Sequence, residues 1–235
     1  MARLPALVER FADIGHHDRG AVDHVAREIR EQNWIQTTKR GRGAAEMTPR
    51  DAAALTVALY AAETLPDRLA ALPVFLEMVR GEQWLMGAID SPSSLEPLVQ
   101  ASSFGQALEL LFEQGSLFEL PTDWRLHDAS WTGLGHIDVL RARAPRGPSV
   151  VVRLQQIDPR AMISFVWPNR AASVSPVGAL VLSYGPKLDA AARKAADESL
   201  QATGRRVTVE LDATIFKAVH QTLFCEAAQA RESPI

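Results

Sequence analysis

The sequence predicts an α+β protein whose helices come first and whose antiparallel strands come last. Apolar residues recur at helical spacing from the start, as in the segment Leu4 to Ala12. The second half instead holds short runs rich in β-branched and aromatic residues, Ser149 to Gln155 and Ala161 to Trp167. We therefore expect a helical front and middle, followed by a mixed back domain.

Composition places the chain among soluble globular proteins. Its 235 residues are 47% hydrophobic and 23% charged, which excludes collagen-like, disordered and disulfide-scaffold proteins. The net charge of −3 does not indicate a polyanion partner for the whole molecule. The single cysteine, Cys225, cannot form an internal disulfide or a thiolate metal site alone. With no long apolar run and no secretory signal at its start, the sequence predicts a cytoplasmic protein without a membrane partner.

The second predicted helix runs from Arg19 to Gln32. Gly15 suits the end of the first helix, and Asp18 is a good N-cap for the second. Its predicted apolar face contains Val22, Val25, Ala26 and Ile29, and its opposite face is charged.

A polar, basic, glycine-containing segment, Gln36 to Met47, follows this helix and predicts a loop or a two-stranded wing. The next helix then begins with Thr48 as cap, Pro49 in the first position and Asp51 near the positive end.

The rest of the chain predicts two further units. Residues 66–120 form a predicted helical connector, with helices over Leu69 to Ala88 and Leu95 to Phe118, the second either continuous or broken near Gly105. Residues 121–235 form a predicted α+β domain for dimerisation or partner binding. Its predicted strands are 136–142, 149–155, 161–167 and 205–211, and its predicted helices are 188–202 and 213–228. Residues 177–184 are either a short strand or a connecting segment.

The order of elements in residues 1–65 is typical of a winged helix-turn-helix. In that arrangement one helix enters the major groove of DNA, and a flexible basic loop beside it reaches phosphates or the minor groove. Positive charge is concentrated in residues 36–50, although residues 1–70 are neutral on balance. The predicted DNA-binding residues are Arg19, Asp23, His24, Arg27, Lys39, Arg40 and Arg42. The alternative is a solvated basic loop between two helices.

The segment from Leu7 to Leu59 resembles the winged-helix front of MerR-type regulators. GAVDHVAREIREQNWI is similar to their recognition helix, and TTKRGRGAAEMTPRDAAAL also resembles uncharacterised proteins of proteobacterial prophages and mobile elements. Two departures stand out. Gln32 to Trp34 replaces the usual glycine turn, and no long heptad helix follows to form the dimeric coiled coil of that family.

This resemblance implies a division of roles among the predicted DNA-binding residues. The residues that it implies in base contact are Arg19, Asp23 and His24. The residues that it implies in phosphate contact are Arg27, Arg40 and Arg42.

Other chemistry-bearing residues do not form a recognised catalytic pattern. The sequence has no HExxH, GxSxG or GxxxxGK[ST] motif, so we expect no catalytic residues, no metal and no cofactor. A hydrolytic or metal site is the less favoured use of Asp123, His127, Asp128 and His136. A packed core is favoured over a stacking platform for Trp124, Trp131, Phe165 and Trp167.

The sequence therefore favours a double-stranded DNA-binding protein, not an enzyme. The leading hypothesis is a homodimeric transcriptional regulator of phage or mobile-element origin, because one small module reads few base pairs. One alternative is a DNA-recognition subunit of a packaging or recombination complex, similar to a small terminase. Another is a protein-interaction component whose front helices bind protein.

Overall fold

The computed structural model describes residues 2–36, 45–86, 93–118, 148–156, 159–168, 177–186 and 207–225. The α-helices within these ranges are α1 (Leu4–Gly15), α2 (Arg19–Glu31), α3 (Pro49–Tyr60), α4 (Leu65–Leu76), α5 (Glu96–Gln100), α6 (Phe104–Glu113) and α7 (Ala213–His220). The strands are β1 (Val79–Met86), β2 (Ser149–Gln155), β3 (Arg160–Pro168), β4 (Val177–Gly185) and β5 (Thr208–Asp212). Short 3₁₀ turns cover Ser93–Leu95 and Gly115–Leu117, and a π-helical turn, Gln221–Cys225, continues α7.

Side-chain caps set where the front helices begin. Asp18 accepts a hydrogen bond from the Ala21 amide over 2.9 Å and so caps α2. Thr48 and Asp51 form a reciprocal capping box at the start of α3. The predicted starts of α2 and α3 are confirmed, because the capping chemistry is local and readable from sequence.

The strands form one antiparallel sheet in the order β1-β4-β3-β2-β5. Three of the predicted strands are confirmed as β2, β3 and β5, with bounds that differ by a few residues at some ends. The segment that the sequence left open between a strand and a connection is the strand β4. Their alternation places Val152, Ile163 and Leu182 in line across three neighbouring strands, all fully buried. The fold is therefore α+β, as the sequence predicts.

The helix predicted over Leu69 to Ala88 is wrong in its second half. The chain leaves α4 at Leu76 and forms the edge strand β1, which pairs with β4 from Val79↔Gly185 to Met86↔Ala179. Pairing with a strand about a hundred residues later overrides local helical periodicity. The segment 66–120 thus contributes both helices and a strand, and the boundaries at 65/66 and 120/121 stay predictions.

A single buried cluster joins the front helices to the rest of the protein. Phe112 of α6 is fully buried in it, with its ring centroid 6.5 Å from that of Phe11 on α1 and 5.2 Å from that of Phe216 on α7. Phe104 of α6 contacts Tyr184 of the sheet at a centroid distance of 5.5 Å. The front helices therefore share their hydrophobic core with the sheet.

Some predicted elements lie outside the described residues: the strand 136–142, the helix 188–202 and the end of the last helix beyond Cys225. Among the helices that the structure does describe, none has the length and apolarity needed to cross a membrane.

Candidate nucleic-acid interface

Helix α2 presents one apolar and one charged face. Val22, Val25, Ala26 and Ile29 are buried against the core, as the sequence predicts. The four predicted DNA-binding residues of this helix are all exposed: Arg19, Asp23, His24 and Arg27. The helical repeat brings them to one side, so their charged groups can meet a partner together.

One ion pair and one longer side-chain approach lie along the exposed face of α2. Arg27 Nη2 lies 2.9 Å from Asp23 Oδ2, and His24 Nδ1 lies 4.0 Å from Glu28 Oε1. More than half of each side chain in the Arg27–Asp23 pair is exposed, so the pair is weak and a phosphate can compete for the guanidinium. Positive charge on α2 is therefore largely balanced by its own carboxylates.

The predicted wing residues Lys39, Arg40 and Arg42 lie outside the described residues. The structure does describe the chain on both sides of residues 37–44. Before them, Ile35 is buried at 1% exposure, and after them Met47 is buried at 2%. The Met47 amide donates to the Ala2 carbonyl over 2.8 Å. Both flanks of the basic segment are therefore fixed on the protein's core.

Asp51 contacts both flanks of the basic segment. Its carboxylate accepts hydrogen bonds from the backbone amides of Gln36 and Thr48, and its side chain is only 2% exposed. The sequence predicts Asp51 only as a helix-start residue, near the positive end of α3. The bond to Gln36 spans fifteen positions along the chain. Capping rules and residue spacing along the chain do not predict this hydrogen bond.

The turn before α2 packs against the C-terminal end of α3. His17 packs against Tyr60, with ring centroids 5.4 Å apart. Burial lowers the pKa of His17, and the positive charges of Arg68 and His16 lower it further. The carbonyl of Tyr60 accepts a hydrogen bond from Gln156 Nε2, just after β2, over 3.0 Å. This chain of contacts fixes the start of α2 relative to the sheet.

Arg50 lies in the first turn of α3. Its side chain is exposed, and its charge acts on Glu109 of α6. Burial raises the pKa of Glu109, Arg50 opposes that shift, and the carboxylates of Glu113 and Asp51 add to it. The Glu109 carboxyl therefore interacts electrostatically with charges near the first turn of α3, where Arg50 is exposed.

The other candidate residues belong to the core or lie outside the described ranges. Phe165 and Trp167 are buried in the sheet, in agreement with the packed-core prediction. Asp123, His127, Asp128 and His136, with Trp124 and Trp131, lie outside the described residues. Within the ranges that the structure describes, no three metal-ligating side chains come together.

The arrangement as a whole is a solvent-facing amphipathic helix beside the anchored ends of a basic segment. Comparison with protein-family models, with curated proteins and with solved structures finds no match for this chain.

Proposed function

We propose that the protein binds double-stranded DNA through the exposed face of α2 and the basic segment Gln36 to Met47, as a winged helix-turn-helix does. The observation that carries this proposal is the position of α2. Its apolar side is sealed into the core, while Arg19, His24 and Arg27 remain exposed. A helix presented in this way can enter the major groove, with the neighbouring loop on the phosphates.

The charge distribution supports different roles for α2 and for the basic segment. The acidic groups of α2 reduce its non-specific attraction for phosphates, because Asp23 holds Arg27. The basic segment carries Lys39, Arg40 and Arg42 without an intervening carboxylate. We therefore assign most of the salt-dependent affinity to the segment and sequence discrimination to Arg19, Asp23 and His24 on α2.

A duplex-binding titration at several salt concentrations tests the proposal. Replacing Arg40 and Arg42 by alanine is expected to weaken binding about tenfold or more. It should also reduce the slope of log affinity against log salt by about 0.9 per lost phosphate contact. As a matched control, Arg80→Ala with Lys217→Ala removes two positive charges from β1 and α7 and should leave the slope near the wild-type value. Absence of wild-type binding to any duplex at low salt would overturn the proposal.

Selection of bound duplexes from a random pool separates base contacts from phosphate contacts. Arg19→Ala and His24→Ala should change the preferred sequence while leaving the salt slope nearly unchanged. Variants of the basic segment should lower affinity for all sequences alike. If selection with the wild-type protein enriches no sequence, the assignment as a sequence-specific regulator is wrong, and non-specific DNA binding remains.

We also propose that the protein is a homodimer whose subunits pair through the edge strand β1. Trp84 and Leu85 on this strand are 38% and 43% exposed. An exposed apolar edge is a template for pairing with another strand, and a two-fold axis pairs such an edge with its own copy. We expect a dimer by light scattering and a monomer for Leu85→Lys. A ring of many subunits would instead favour the packaging-complex alternative.

A further inference from the structure

We propose that the packing of the His17 side chain against Gly15 and Tyr60 is a pH-sensitive contact, which holds the start of α2 in place at neutral pH and releases it in acid. His17 lies in the turn between α1 and α2, and Tyr60 is the last residue of α3. The contact concerns the helix that we assign to DNA. The release itself is a property of the folded chain and is tested without DNA, so failure of duplex binding would leave it standing.

The His17 ring occupies a space that only glycine leaves open. A Cβ atom on residue 15 would lie 2.5 Å from Cδ2 and 2.8 Å from Nε2 of the His17 ring, and 2.6 Å from the Tyr60 hydroxyl. The centroids of the His17 and Tyr60 rings are 5.4 Å apart. These approaches are too short for a real Cβ atom, so the ring lies where any other residue at position 15 would carry its side chain.

The backbone beside this contact is itself unfavourable. His16 has φ 51° and ψ 35°, a left-handed conformation that residues with a Cβ atom rarely adopt. The His17 amide donates to the Ala12 carbonyl over 3.0 Å, which closes α1. Asp18 then caps α2 by accepting from the Ala21 amide. Loss of the His17 contact therefore favours rearrangement of a strained turn that leads directly into α2.

Protonation of the His17 ring opposes the contact. Nε2 is buried and has no hydrogen-bond partner among the residues that the structure describes. An imidazolium donates from both ring nitrogens, so protonation places a charge and an unpaired donor at this buried atom. In the released turn water satisfies both nitrogens. Acid therefore favours the released state.

Two positive groups dominate the electrostatics around His17. Burial lowers the pKa of His17, and the charges of Arg68 on α4 and of His16 lower it further. Arg68 is held close to the end of α3, because its Nε donates to the Ala62 carbonyl over 3.0 Å. The other charged residues of the surrounding segments are exposed: Asp13, Asp18, Arg19, Glu63 and Asp67. Of these, Asp18 caps α2 and Asp67 accepts from the Thr64 hydroxyl.

Hydrogen exchange of the full-length protein at about pH 7.5 and about pH 5.5 tests the release. The opening equilibrium constant of α2 is the exchange rate of its amides divided by their intrinsic rate at the same pH. If the ring stays neutral in the contact and titrates at 6.5 once released, this constant rises by up to about tenfold between the two pH values. Equal opening at both would overturn the inference. An equal rise in β2 and β3 would show global unfolding and overturn the local release.

Replacing the ring identifies the group that responds to acid. His17→Phe keeps an aromatic ring against Gly15 and Tyr60 but removes the titrating nitrogens, so the opening of α2 should become independent of pH. His24→Phe is the matched control, because it removes an imidazole from the exposed face of α2 itself and should keep the full acid response. An acid response that persists in His17→Phe, or that is lost in His24→Phe, would contradict the inference.

An NMR titration of the histidine rings keeps the test decisive if His17→Phe does not fold. The wild-type His17 ring should titrate with a pKa below 6.5, its usual value. Arg68→Gln should move this pKa upward and weaken the acid response of α2, because it removes one of the two positive charges that act on the ring. A wild-type His17 that titrates at 6.5 or above would overturn the pH-sensitive contact.

Discussion

Deletion of the Phe112 side chain should destabilise the front helices and the sheet together. Phe112 on α6 is fully buried, and its ring contacts Phe11 of α1 and Phe216 of α7. A buried phenylalanine-to-alanine change costs about 3–5 kcal/mol. Both ring contacts contribute to this cost, since each aromatic pair adds about 0.5–1.5 kcal/mol beyond the area it buries. The loss is a large share of the total stability of a typical domain, about 5–15 kcal/mol.

Hydrogen exchange read by mass spectrometry, alongside urea unfolding, checks this prediction. In Phe112→Ala, the amides of α1 and those of β2 and β3 should lose protection by the same free energy. Phe224→Ala serves as the control, because it deletes the same group from a side chain that is 37% exposed. Wild-type protection in α1 beside weakened protection in the sheet would refute the shared core and favour an independent unit at residues 1–65.

Two further predictions concern pH. Because the pKa of His17 is lowered in the fold, its contribution to stability is present above 6.5, its usual pKa, and is lost as pH falls through the lowered value. His17→Phe should therefore flatten the decline in thermal stability between pH 7 and pH 5, and an unchanged decline would contradict this. The pKa of Glu109 is raised, so its contribution is full below 4.5 and is lost as pH rises through the raised value. Glu109→Gln should raise the thermal midpoint at pH 7 but not at pH 4, and a lower midpoint at pH 7 would oppose the argument.

Local chemistry made several features predictable. Asp18 and Thr48 lie where a helix start needs an acceptor for its free amides, and both caps are present in the structure. The β-branched run Ser149 to Gln155 forms β2, since such residues pack well on a pleated surface. The apolar stripe of α2 is buried and its charged stripe is exposed. Each of these depends on residues only a few positions apart.

Long-range contacts determined what the sequence pattern could not show. Val79 to Met86 becomes a strand because β4 supplies its hydrogen-bonding partner. Asp51 joins the flanks of the basic segment because folding brings Gln36 to the first turn of α3. Periodicity and capping rules describe neighbours along the chain. The free energy of these contacts depends instead on which distant groups share a buried site, and that is decided only when the whole core packs.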